Sequence, residues 1–327
     1  MKAVVVSEPG GPEKLQLVDL PDPVPGPAEV AIEIHASALN RADLLQRRGL
    51  YPPPPGTTDI LGLECAGVVS ELGPGTSGRV RLGDRVMVLL GGGGYAERVV
   101  VPEALTMKIP DGLDFQRAAA IPEAFLTARE ALFVAGNLRS NESVLIHAAA
   151  GGVGSAAVQL AHAHGARVFA TAGGAVKGDW VRALGADVVI DYKNQDFAAV
   201  IKSETQGRGV DVILDFIGAP YAESHAACLA PLGRQVLIGV MGGAQASVNL
   251  GRLLQRRQSL IGMVMRSRSV PEKIELTRAF VRVSLPLFSD GRLKPLVDSV
   301  FPLSEVSRAH QRMEANENLG KIVLSVR

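Results

Sequence analysis

Three glycines stand where a backbone must come close to something. In Ala148-Ala-Ala-Gly151-Gly152-Val-Gly154 an apolar run that reads as a strand (144–148) passes at once into a run of small residues that reads as a helix (153–164). Glycine at such a step lets the main chain approach a pyrophosphate at the helix N-terminus, where the first N–H groups lack intrahelical partners. A full G-x-G-x-x-G needs glycine at 149, where the chain has Ala149, so a tight turn without ligand is the competing reading. NAD sites place a carboxylate about twenty residues further on, against the ribose hydroxyls. There the chain reads Thr171-Ala-Gly173-Gly174. No acid stands in that place to repel a 2′-phosphate, and Lys177 follows within one helical turn, either as a point charge for that phosphate or as part of a solvent face. Tyr192, past the next strand, either reaches the same region or packs at the sheet edge.

Other reactive side chains carry less. Cys65 and Cys228 are far apart and form no C-x-x-C, which excludes a disulfide framework and a four-cysteine zinc lobe. His162 and His164 are two apart and point to different faces of a helix, expected on the solvent side. The glycines at 91–94 precede a β run, not a helix, and offer an anion no helix terminus. Asn40 opens a short helix with Asp43 three residues on, a capping pattern worth about 1 kcal/mol; its carboxamide is equally placed for cofactor or substrate. Tyr51 precedes a stiff proline run (52–55) and is either a cleft hydroxyl or a plug at a barrel rim. Glu64, beside an apolar strand, demands a partner if buried, for which Arg41 and Arg47 are the candidates.

These residues need a scaffold, and the chain is long enough for two domains. Its 327 residues are 47% hydrophobic and 20% charged, a globular composition. Lys plus Arg number 34 and Asp plus Glu 33, a net charge of +1, so no overall field recruits nucleic acid or anionic lipid. No stretch reads as a secretory or membrane-spanning segment, and a cytoplasmic chain is expected. Up to about residue 120, short β-rich runs at 3–6, 30–34, 65–69, 85–89 and 96–101 alternate with Gly/Pro clusters, the pattern of a barrel-like β domain. From about 123 strands and helices alternate: strands at 144–148, 167–171, 187–190, 210–215, 234–239 and 260–265, with helices between them. That is a doubly wound parallel sheet in an α/β protein. A long helix to about 288 and strands at 293–301 and 321–326 return to the first style, which makes the α/β domain an insertion. The last strand of the sheet is apolar and at an edge, so two chains are expected to pair there.

Leu39-Asn40-Arg-Ala-Asp43, Gly62-Leu-Glu64, Gly92-Gly-Gly-Tyr-Ala-Glu97, Ala119-Ala-Ile-Pro-Glu123, the Gly-rich turn and Asn318-Leu-Gly-Lys-Ile322 together resemble the zinc-free quinone oxidoreductases of the medium-chain dehydrogenase/reductase superfamily. The resemblance spans essentially the whole chain. Tyr51 with its proline run and Met313-Glu-Ala-Asn316 are most similar to the tumour-suppressor-inducible branch. It implies a GroES-like β-barrel catalytic domain (1–122 and 267–327), a Rossmann domain (123–266), NADPH, and a homodimer or homotetramer. Carried over, it places Gly151, Gly152 and Val153 on the pyrophosphate and Gly173, Lys177 and Tyr192 on the 2′-phosphate. Phe216, Gly218, Gly239 and Met241 line the nicotinamide-ribose crevice, and Thr127 and Asn40 lie beside the nicotinamide. Gly174 departs from relatives that often carry serine there, which weakens discrimination for NADPH without inverting it. Zinc-dependent cousins take metal ligands from positions held here by Asn40 and Leu63, so no metal is expected. Alcohol oxidation wants a Lewis acid, whereas a quinone is already electrophilic. The expected activity is therefore NADPH-dependent reduction of a quinone or similarly activated carbonyl, with Asn40, Tyr51 and Thr127 as the reactive-end residues. The competing readings are a reductase of α,β-unsaturated carbonyls or enoyl thioesters, and a cofactor-binding structural protein without turnover.

Overall fold

The structure, a computed structural model, describes residues 1–327. Contacts divide it into two units, Met1–Leu126 with Arg266–Arg327, and Thr127–Met265. The divisions fall after Leu126 and Met265, against the expected 122 and 266.

The first unit opens with an antiparallel ribbon of β1 (Lys2–Val6) and β2 (Leu15–Asp19), followed by the long strand β3 (Glu29–Ala38) and the short helix α1 (Arg41–Arg47). Strands β4 (Glu64–Leu72), β5 (Arg85–Leu89), β6 (Arg98–Pro102) and β7 (Met107–Lys108) complete the barrel-like part before α2 (Phe115–Ala119) and α3 (Pro122–Arg129). β3 is buried along most of its length because β4 and β6 pair with it on either side. Where β3 and β4 cross, a Cβ at Gly67 would lie 2.0 Å from the Glu33 carbonyl oxygen, so only glycine permits that approach.

The second unit alternates β8 (Ser143–Ile146), α4 (Gly152–Ala163), β9 (Arg167–Ala172), α5 (Ala175–Ala183), β10 (Val188–Asp191), α6 (Phe197–Glu204), β11 (Val210–Asp215), α7 (Ala222–Cys228), β12 (Leu229–Leu237), α8 (Leu250–Arg256) and β13 (Ser259–Gly262). All six strands are parallel, in the order β10-β9-β8-β11-β12-β13. β8 and β11 are buried at every residue, as a parallel sheet covered on both faces requires. The strand order reverses between them, so the crevice at their carboxyl ends is where such a sheet binds a ligand. The last strand is shorter than the expected 260–265.

The chain then returns to the first unit through α9 (Val270–Val283), α10 (Pro286–Ser289), β14 (Val297–Pro302), α11 (Val306–Glu314) and β15 (Lys321–Ser325), which joins β3. The single helix expected to 288 breaks because Pro286 has no N–H to continue it and begins α10 instead. β14 begins at Val297, later than the expected 293. The ribbon strand β2 and the helices α2 and α11 lie outside the elements read from the sequence, although α11 buries Val306, Ala309, His310 and Met313 at helical spacing. No helix is long and apolar enough to cross a membrane.

Gly154 tests how tightly α4 sits on the turn that precedes it. A Cβ there would lie 2.3 Å from the Ala148 carbonyl oxygen and 2.8 Å from Ala149 Cα, both main-chain atoms. Gly154→Ala gains up to about 1 kcal/mol of helix propensity, but displacing backbone costs more. We expect a net loss of about 2 kcal/mol in urea unfolding.

Candidate active site

In the second unit, α4 starts at the carboxyl end of β8 with Gly151 as its N-cap, and no side chain caps it. Its first intrahelical bond on this side runs from Ser155 N–H to Gly151 O, so the N–H groups of Gly152, Val153 and Gly154 form an open anion cradle. The turn is fixed from below, since Ala148 takes a positive φ of 45° and Gly151 N–H bonds back to its carbonyl. One strand along, Gly174 caps α5 at φ 83°, and Lys177 is the third residue of that helix. The Tyr192 hydroxyl lies 3.1 Å from where a Cβ on Gly173 would be, so this glycine leaves room for the phenol. Asp191, which the sequence reading did not single out, accepts the N–H groups of Gly174 and Lys193, both at 3.1 Å, and the Asn194 amide at 2.7 Å. Those bonds hold its carboxyl below the usual range and turn it toward backbone.

At the end of β11, Asp215 accepts Ile217 N–H at 2.8 Å and Gly218 N–H at 3.0 Å. It thereby fixes the turn that carries Phe216 and Gly218. Met241 N–H in turn bonds the Phe216 carbonyl at 3.1 Å, and Gly239 N–H bonds Asp215 O at 3.3 Å, which brings the four expected crevice residues together. Thr127 is 4% exposed, and its hydroxyl oxygen is buried without a hydrogen-bond partner. An orphaned hydroxyl of this kind is uncommon in a settled core. With the open α4 terminus, it makes the residues present fit a dinucleotide.

In the first unit, Asn40 caps α1 with Asp43 completing the expected box, and its carboxamide has partners that the sequence did not point to. It is the N-cap of α1 by backbone, yet its side chain makes no cap bond. Asp43 supplies the cap by accepting Asn40 N–H at 2.7 Å. The carboxamide turns inward: Nδ2 donates to Glu64 Oε1 at 2.9 Å and to Ala38 O at 3.3 Å, and Oδ1 accepts Lys321 Nζ at 2.6 Å. Lys321 also meets Glu64 Oε1 at 2.7 Å, with the two side chains 4% and 0% exposed. Neither Arg41 nor Arg47 is the partner of Glu64; Arg47 bonds Glu314, His310 and Gly10 O instead. An ammonium thus supplies positive charge beside Asn40 and Glu64, and no group of three His, Cys, Asp or Glu side chains is arranged to hold an ion. Leu63 is buried nearby in sequence at 2% exposure.

Around this pair lie further ionisable groups. Asp43 is fully buried and burial raises its carboxyl to about 6, opposed by bonds from Asn40, Tyr95 and Gly62. Glu123 N–H donates to Glu64 Oε2 at 2.8 Å, and desolvation together with the Glu64 charge pushes the Glu123 carboxyl up to about 8. Arg266 reaches over the Tyr51 ring, 5.3 Å from its centroid, and bonds Tyr51 O, Gly91 O and Gln46 Oε1. Gly91 is therefore part of a packed turn. Burial raises the Tyr51 phenol and both thiols, Cys228 to about 12, so neither cysteine is a nucleophile near neutrality. His162 and His164 are exposed.

A Rossmann sheet inserted into a GroES-like barrel defines a nicotinamide-dependent oxidoreductase. Residues 26–111 match the family described as alcohol dehydrogenase GroES-like domain, and residues 152–279 the family described as zinc-binding dehydrogenase. The chain belongs to the medium-chain dehydrogenase/reductase superfamily. It is 37% identical to the rat synaptic vesicle membrane protein VAT-1 homolog, over 99% of this chain and 84% of that one. It is 35% identical to the quinone oxidoreductase of Pseudomonas aeruginosa, over 96% of each. Among solved structures, an NAD-dependent alcohol dehydrogenase superposes with TM-score 0.89 at 35% identity, over 100% of both chains. A mycobacterial protein complexed with NADPH superposes at 0.88 and 32%, over 99% of this chain and 100% of that one. CurK enoyl reductase superposes at 0.88 and 32%, over 99% and 98%.

Two variants test this electrostatic frame. Lys321→Met leaves Glu64 buried without a counter-charge and is expected to lower stability by about 3 kcal/mol in urea unfolding. Glu123 has a folded pKa raised from 4.5 to about 8, so its stabilising contribution is complete below pH 4.5 and is lost as pH rises to 8. Glu123→Gln removes that slope, and the variant should exceed the parent at pH 8 by roughly 4 kcal/mol, with the gap closing toward pH 4.5.

Proposed function

We propose that the chain is an NADPH-dependent, metal-independent reductase of quinones. The observation that carries the reading is the second unit's pair of glycine turns: an uncapped α4 terminus, and beside it a turn with Lys177 and the Tyr192 hydroxyl but no acid at the end of β9. In this reading the N–H groups at Gly152 and Val153 hold the pyrophosphate, and Gly151, whose own N–H is bonded to Ala148 O, has no side chain to keep that group from the backbone turn. Gly173, Lys177 and Tyr192 hold the 2′-phosphate, and Asp191, already occupied by backbone donors, stays off the ribose. Phe216, Gly218, Gly239 and Met241 line the ribose of the nicotinamide, and the unpartnered Thr127 hydroxyl orients its carboxamide. The bound nicotinamide supplies the hydride. In the first unit, Tyr51 is the hydroxyl offered to the reduced oxygen of the acceptor, and Arg266, stacked on its ring, fixes it. Asn40 shapes that region from behind, held by Lys321 and Glu64.

An acceptor that needs no Lewis acid suits this donor set, and the quinone oxidoreductase relative supports that class. Similarity to CurK enoyl reductase favours a second reading with the same cofactor, reduction of an α,β-unsaturated carbonyl or enoyl thioester. The assembly proposed is a homodimer through β13, the outermost strand, where Leu260 is 48% exposed and Leu250 and Leu254 of α8 are 71% and 78% exposed.

NADPH consumption with chelator present should be faster with ortho- or para-quinones than with 2-alkenals; the reverse order selects the enoyl reading, and no turnover on either leaves a binding protein. Lys177→Ala should raise the Michaelis constant for NADPH about tenfold and leave that for NADH nearly unchanged. Equal loss with both removes the phosphate assignment. Sedimentation at micromolar concentration should show a dimer, and a monomer rejects pairing at β13.

A further inference from the structure

Beneath the ends of β8, β9, β11 and β12 lies a polar chain that the proposed mechanism does not use. His147 and His225 are both 0% exposed, and their Nε2 atoms are 2.8 Å apart. At one end His147 Nδ1 meets Thr171 Oγ1 at 3.0 Å. At the other, Gln235 Nε2 reaches His225 Nδ1 at 3.1 Å and donates to Asp215 Oδ2 at 2.9 Å. The Asp215 carboxylate also lies 3.4 Å from His225 Nδ1. Phe197 and Tyr221 pack against the two imidazoles, with centroids 4.9 to 5.7 Å away.

A buried polar chain among aromatic rings is stabilising only when every member is satisfied, and an apolar core would fill the same volume with less risk. What the chain achieves is one fixed polarity. The Gln235 amide nitrogen has two hydrogens, one for Asp215 and one for His225 Nδ1. That makes Nδ1 an acceptor and puts the His225 proton on Nε2, where it donates to His147 Nε2. His147 then carries its proton on Nδ1 and donates to Thr171. Burial keeps both rings neutral, lowering their pKa values, His225 to about 4. Asp215 is therefore anchored on its inner oxygen, and its outer oxygen accepts Ile217 and Gly218 N–H. The turn it holds has little freedom, since Gly218 sits at φ 80° with its would-be Cβ 2.5 Å from Gly243 O.

We propose that His225 and Gln235 are positioning residues that orient Asp215, and through it the 216–218 turn, for the nicotinamide half of the cofactor. This rests on the dinucleotide reading above and adds to it two positioning residues, His225 and Gln235, and the Asp215 that they orient. The probes are NADPH and adenosine 2′,5′-bisphosphate, which carries the phosphorylated adenosine end without the nicotinamide, titrated by calorimetry. His225→Leu should bind NADPH about tenfold more weakly and the bisphosphate within about twofold of the parent. Should that variant not fold, Gln235→Leu, at a half-buried position, should show the same selective loss. In the parent, nitrogen-15 spectra should place the ring protons on His225 Nε2 and His147 Nδ1, with both signals moving on addition of NADPH and staying put with the bisphosphate. Parent protein that binds neither probe refutes the dinucleotide reading itself. Parent that binds NADPH while the folded variant binds it equally well, or loses both probes alike, overturns the positioning role.

Discussion

Everything the second unit offers a ligand depends on how closely α4 follows β8. The strand ends at Ile146 and the helix begins at Gly152. The five residues between must reverse the chain, place Ala148 at positive φ and still leave the first helical N–H groups facing out. The main-chain contact that forces glycine at 154 is the same contact that presses the helix start onto the strand end. A side chain there would push α4 away and take the anion cradle with it. The neighbouring turns at Gly173 and Gly218 are built around this fixed point, one strand to either side.

The first unit solves a different problem, that of keeping acids in a dry interior. Glu64 and Lys321 are both buried, and an ion pair so enclosed is weak evidence of stability in itself. Its consequence is geometric: Lys321 closes over Asn40 and Glu64, while burial raises the neighbouring carboxyls against the pull of that ammonium, Asp43 to about 6 and, with the Glu64 charge added, Glu123 to about 8.

Much of this was legible in the chain. The six parallel strands and their crossovers were visible because central strands such as β8 and β11 are near-continuous apolar runs and α4 is built largely of small residues, so local composition and tertiary burial agree there. The Gly-rich turn was legible for the same reason. The capping role of Asn40 was legible, but the partner of its carboxamide was not, because Lys321 comes from the last strand and no local pattern links them. The partner of Glu64 was missed on the same ground. His225 and Gln235 lie on a helix and a strand whose periodicity suggests only packing. Their polarity acquires meaning when β8, β11 and β12 lie side by side. The break at Pro286 had a local signal, the missing N–H, which the expectation of one long helix overrode.

The most direct test is a crystal structure of the protein grown with NADPH. The account predicts pyrophosphate oxygens within hydrogen-bond reach of the N–H groups at Gly152 and Val153, the adenosine 2′-phosphate on Lys177, and Lys321 still closed on Asn40 and Glu64. Density for the dinucleotide away from the start of α4, or a metal ion seated beside Asn40, would contradict it.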